Sequence, residues 1–116
     1  MYSQRVTVHP SPDKIAAARA LILARVKTGQ ARGQRIAFGE LVVGRHAPEF
    51  QITILFDDLA AFEAQRKRNQ ADAGFRTFGT KLAATLRKPV GVDLFEVLVA
   101  MPGTEPAAKG GRARKK

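Results

Sequence analysis

Histidine is the side chain whose proton comes and goes near neutral pH, and this 116-residue chain has two, His9 and His46. Arg45 precedes the second, and Glu49 follows it three residues later. An arginine, a histidine and a carboxylate at one end of a sheet can hold a small anion and exchange a proton with it. As a metal pair, His46-x-x-Glu49 offers only two ligands, too few for a tetrahedral or octahedral shell, so no metal site is expected. Four more charges, Arg5, Glu40, Asp93 and Glu96, interrupt otherwise apolar stretches. Burying a charge is costly unless it is paired. The first expectation for them is therefore an interface ion pair or a strand edge meeting water. Arg5 and Glu40 join His9, Arg45, His46 and Glu49 as candidate ligand-binding residues, and none is assigned a catalytic role. The plainer reading of His9 is hydrogen bonding within its turn, and of Arg45-His46 a solvated hairpin.

Other chemistry is excluded by composition. Cysteine is absent, which removes disulfides, thiolate metal sites and cysteine nucleophiles. Serine occurs only at Ser3 and Ser11, and Ser11 is positioned to cap a helix, so a Ser/His/Asp enzyme is not expected. No Gly-x-Gly-x-x-Gly or phosphate-cradling loop occurs.

The elements that must position these residues follow from periodicity. Tyr2 to His9 alternates as a strand. Ser11-Pro12-Asp13 opens a helix, with Ser as cap, Pro in the first turn and Asp at the positive end of the dipole. Ile15, Ala18, Ile22 and Val26 form its stripe, widened by Leu21 and Ala24, and Gly29 or Gly33 ends it. Gln34 to Gly44 and Glu49 to Phe56 are two strands joined as a hairpin through Arg45-His46-Ala47-Pro48. Asp57-Asp58 caps the helical stretch DLAAFEAQRKRNQ. A break at Ala71-Asp72 separates a second piece carrying Phe75, Phe78, Leu82 and Leu86 at helical spacing, which Pro89 stops. Val90 to Ala100 is the last strand. Phe38, Phe56, Phe62, Phe75 and Phe78 are most simply core.

Two strand–helix–strand units joined by a hairpin give an α+β, ferredoxin-like βαββαβ sandwich. Its antiparallel sheet has the order 4-1-3-2, with the helices on one face. This topology puts His9, His46 and Glu49 at one end of the sheet, with the start of the first helix, whose free amides suit an anion. The apolar runs predict more. Ile36, Phe38 and Val42 oppose Ala37, Leu41 and Val43, and Val92, Leu94 and Leu98 oppose Phe95, Val97 and Val99. Both sheet faces read as apolar although helices exist for only one. A homodimer packed sheet face to sheet face, closing into an α+β barrel, is the expectation.

The junction VTVHPSPDK and the stretch FDDLAAFEAQRKRNQADAGFRTFGTKLAATL resemble the dimeric α+β barrel superfamily, nearest its NIPSNAP-like and antibiotic-biosynthesis-monooxygenase-like branches. The resemblance covers residues 1–101 as pattern rather than identity. It implies dimers, often with a small-molecule cavity between sheet and helices, and activities from cofactor-independent monooxygenase to isomerase. No catalytic motif carries over, and the tryptophan of the haem-degrading branch is absent here.

The net charge of +10 favours anionic partners. Residues 1–102 are expected to form the domain and residues 103–116 a flexible basic tail. Tail, Arg66-Lys67-Arg68 and Arg87-Lys88 leave weak, non-specific nucleic-acid contact as the rival function. Sequence-specific RNA binding is not expected, because EFQITILF lacks the glycine and aromatic pair of RNA-recognition strands. With no secretion signal and no apolar run long enough for a membrane span, a cytoplasmic protein without membrane contact is expected. The overall reading is a small-molecule-binding homodimer for a small anionic or aromatic ligand, with no built-in cofactor. Haem held by His9 or His46 is a lesser alternative.

Overall fold

The computed structural model describes residues 1–44, 48–99 and 102–103. Arg45, His46 and the residue 104–116 portion of the expected tail lie outside them. Strand β1 (Tyr2–Val8) leads through a 3-10 turn at Pro12–Lys14 into helix α1 (Ile15–Ala31). Strands β2 (Arg35–Glu40) and β3 (Phe50–Phe56) follow, then α2 (Leu59–Ala71), α3 (Ala73–Ala83) and β4 (Gly91–Glu96). The sheet order β2-β3-β1-β4, all antiparallel, is the ferredoxin-like arrangement that the sequence predicts.

Local chemistry sets most boundaries. Asp58 caps α2, its Oδ1 accepting from the Ala61 N–H at 2.8 Å. Asp72 ends α2 and caps α3, accepting from the Gly74 N–H at 2.8 Å. Gly33, at φ +89, makes the left-handed turn from α1 into β2 that a Cβ would oppose. Ser11 differs from expectation. Its side chain caps nothing, and its backbone N–H instead donates to the Thr85 carbonyl at 2.8 Å, tying the helix entry to the segment after α3.

Register fixes the two faces, because side chains alternate along a strand. Gln4, Val6 and Val8 of β1 lie level with Ile54, Ile52 and Phe50 of β3, and Ile36 and Phe38 of β2 share that side. On it α1 packs Ala18, Ile22 and Val26 into the core, joined by Leu82 of α3. Ala24 is exposed, so the buried stripe of α1 is narrower than its composition suggests. Phe50 is fully buried and meets Phe38 edge to face, centroids 5.3 Å apart.

The second face corrects the expectation of an apolar surface on both sides. Its middle is Ser3, Arg5, Thr7, Gln51 and Thr53, with Ala37, Leu55 and Phe95 around them. The strands are shorter than the apolar runs that suggested them. Val42 and Val43 lie beyond β2, and Leu98 and Val99 beyond β4, all at least 86% exposed. They build neither face. Among the described residues, no helix is long and apolar enough to cross a membrane.

Candidate functional site

The sequence candidates separate in space. His9 follows β1 and Glu49 precedes β3, and the Val8–Phe50 pairing sets them opposite one another. His9 Nε2 stands 3.3 Å from Glu49 Oε1, both side chains largely buried. Burial pushes the His9 pKa below its usual 6.5, helped by the charges of Lys88 and Arg87 and opposed by Glu49. The imidazole is thus mainly neutral at neutral pH. Its Nδ1 is buried and meets no hydrogen-bonding partner among the described residues. The His9 carbonyl accepts from the Arg87 N–H at 3.0 Å, and Pro10 bridges to Leu86. These contacts fasten the end of β1 to the α3–β4 connection, a tie between distant segments rather than the hydrogen bonding within its own turn that the plainer reading expected.

Glu40 and Arg5 join no such group. The Glu40 carboxylate is held by Arg19 of α1 through contacts of 2.9, 3.1 and 3.2 Å. Arg5 lies on the helix-free face, 5.0 Å above the Phe95 ring, with Asp93 opposite it in register. Glu40 is thus paired with a helix of its own chain rather than across an interface, and Arg5 is exposed on the sheet face.

A different region has the shape of a site. Between the helix-side face of the sheet and α1 and α3 lies a cavity of about 720 Å³, within the ~300–1,000 Å³ usual for small-molecule sites. Its floor is Val6, Ile36, Ile52, Ile54 and Val92 from the four strands. Its roof is Ile22 and Val26 of α1 with Phe75, Phe78, Gly79 and Leu82 of α3. Helix α3 leaves the β4 side uncovered, so Val90 and Val92 are 40% and 55% exposed and the cavity opens there. Phe75 and Phe78 are half-buried cavity lining, 6.1 Å apart between ring centroids, rather than closed core.

The polar side chains at this cavity are amides and cations. Gln4, Gln34 and Asn69 supply amides, and Arg25, Arg87 and Lys88 supply positive charge. Among the described residues, no carboxylate or histidine lines the cavity. Arg25 is fixed from two directions. Its guanidinium lies 5.0 Å from the centre of the Phe75 ring and 3.5 Å from Asp72 Oδ2. Burial raises the Asp72 pKa, but N–H groups of Phe75 and Gly74 and the Arg25 charge outweigh it and hold the carboxyl below its usual 3.8. Asp72 therefore stays ionised as the anchor of Arg25.

None of the four described candidates, Arg5, His9, Glu40 and Glu49, lines this cavity. Sequence reasoning missed Arg25, Gln4, Gln34 and Asn69. The one signal available was polar residues recurring on faces that otherwise read as core. Among the described residues, no three His, Cys, Asp or Glu side chains gather to hold a metal ion.

No family model matches the sequence, and no curated protein matches it significantly. Solved structures do. The chain is similar to Rv0793 from Mycobacterium tuberculosis at 19% identity, covering 85% of this chain and 96% of that one, TM-score 0.69. An uncharacterized NIPSNAP domain protein from Burkholderia xenovorans matches at 16% identity over 88% and 99% of the two chains, TM-score 0.72. A protein described as an antibiotic biosynthesis monooxygenase matches at 17% identity over 85% and 100%, TM-score 0.66. The likeness is one of fold, and it falls on the two branches that the sequence resembles.

Proposed function

We propose that this protein binds a small, largely apolar molecule between α1, α3 and the sheet, and acts on it as a cofactor-independent monooxygenase or isomerase. The observation that carries the binding is the cavity itself: about 720 Å³, aliphatic and aromatic on two sides, with a few converging donors. The choice of reaction class rests on the resemblance and on the monooxygenase among the fold neighbours. Donors and cations without a carboxylate suit stabilising negative charge on a bound molecule.

The working unit in this proposal is a homodimer. Helices cover one sheet face only, and the open face carries Phe95, 46% exposed, beside polar and small residues. Pairing two such faces would cover Phe95 and leave both cavities open at their β4 sides. The experiment is titration with N-phenyl-1-naphthylamine, an uncharged fluorophore that brightens in apolar sites, alongside light-scattering mass. Saturable binding at one probe per chain is expected, with a mass near twice 12.6 kDa that holds on dilution. Absence of saturable binding refutes the cavity reading, and a monomer refutes the dimer.

A further inference from the structure

A second cavity, of about 480 Å³, adjoins the first and is different in kind. Arg32, Arg35 and Arg68 line it with Asp57 and Asp72, and it shares Gln34, Ile54 and Asn69 with the apolar cavity. The border between the two is thus one aliphatic side chain flanked by two amides. Its arginines are unequally committed. Arg35 is closed off by Asp57 at 2.6 Å. Among the described residues, the acidic partner of Arg32 is Asp72 at 3.6 Å, beyond hydrogen-bond reach, and the Arg32 side chain is 63% exposed. Arg68 donates to the neutral Gln65 amide at 2.7 Å and has no acidic partner among the described residues.

Asp72 cannot satisfy these cations. It already accepts from the Gly74 N–H and is divided between Arg25 at 3.5 Å and Arg32 at 3.6 Å. A guanidinium carries five N–H donors, so Arg32 and Arg68 keep most of theirs. Asn69 gives its amide oxygen to Gln65 at 3.0 Å, which leaves its amide nitrogen to donate. Spare donors and uncompensated positive charge therefore stand beside an apolar hollow large enough for a ring system.

We infer that the ligand is an amphipathic anion, with its apolar body in the larger cavity and one carboxylate, sulfonate or phosphate at the Gln34–Asn69 border, facing Arg32 and Arg68. This rests on the cavity reading and adds the substrate class to it. A bidentate, charge-assisted contact from arginine to such a group is the strong form of hydrogen bond. The partial exposure of both arginines moderates its worth.

Two probes with the same rings isolate the charge. 8-Anilinonaphthalene-1-sulfonate carries a sulfonate, and N-phenyl-1-naphthylamine lacks it. The intact chain is expected to bind the sulfonate about tenfold or more tightly than the neutral probe. The double variant Arg32→Gln/Arg68→Gln should lose most of that preference while neutral-probe affinity stays within about twofold. Lys27→Gln/Lys67→Gln removes the same charge from helix positions that line neither cavity, and should keep the preference. Equal affinities for the two probes in the intact chain would overturn the inference. So would a preference that survives the arginine changes, or one that falls equally with the lysine changes, since that would be long-range charge attraction. If neither probe binds, the cavity reading itself fails, which is a separate result. Far-UV circular dichroism on each variant checks that the fold is kept, and Arg68→Gln alone, on the exposed side of α2, serves if the double variant is unfolded.

Discussion

Gly79 joins the architecture of the cavity to a sharp experiment. It lies inside α3 with φ in the ordinary negative range, and a Cβ built there meets no atom within 4 Å. A glycine inside a helix is ~0.5–1 kcal/mol worse than alanine, because the unfolded chain gives up more freedom. Here no clash offsets that gain, so Gly79→Ala should stabilise by nearly the full amount. For a domain of this size, that raises Tm by about 4–8 °C per kcal/mol. Gly79→Leu should keep the gain and also send a branched side chain into the cavity between Phe75, Phe78 and the sheet. Binding of N-phenyl-1-naphthylamine should then weaken at least ~tenfold, equivalent to ~1.4 kcal/mol. The assays are thermal unfolding by circular dichroism without probe, suited to a chain lacking tryptophan, and fluorescence titration. A Tm lowered by Gly79→Ala would show that the space above Gly79 is closed. A folded Gly79→Leu protein with unchanged affinity would show that the probe binds elsewhere, and the cavity argument would fail.

Three other outcomes follow from the same contacts. Because the folded His9 pKa lies below 6.5, the unfolded chain takes up that proton first on acidification. Stability should therefore fall as pH drops below about 6.5 towards the folded value, and His9→Gln should flatten that part of a Tm–pH profile; an unchanged profile would refute the assignment. Asp58→Ala removes the acceptor of the Ala61 N–H and should cost about 1 kcal/mol in urea unfolding, with Asp58→Asn recovering most of it. Phe50→Ala empties the fully buried site opposite Phe38 and should cost about 3–5 kcal/mol. A loss below 1 kcal/mol there would mean that this end of the core is loosely packed.

Much of this molecule is written in local chemistry. Asp58 and Asp72 cap the helices they precede because their carboxylates reach free N–H groups two or three residues on, a distance set by the chain alone. The period-two and helical runs similarly imply the element order, and short connections leave few topologies besides 4-1-3-2. The ends of β2 and β4 were not legible, since a run of Val and Leu reads as strand whether or not a neighbour pairs with it. Val42 and Leu98 have none in the sheet. The cavity was illegible for a further reason. Periodicity says that Phe75, Phe78 and Leu82 turn the same way, but not how far α3 stands from β4. Residues far apart in the chain complete the site: Arg25 is held by Asp72, 47 residues away, and Gln34 and Asn69 both line the border between the cavities. Side-chain type and spacing determined the elements and their order. Which polar residues face a common hollow was decided only by the packing of the layers, because that depends on the gap between surfaces rather than on any segment's own pattern.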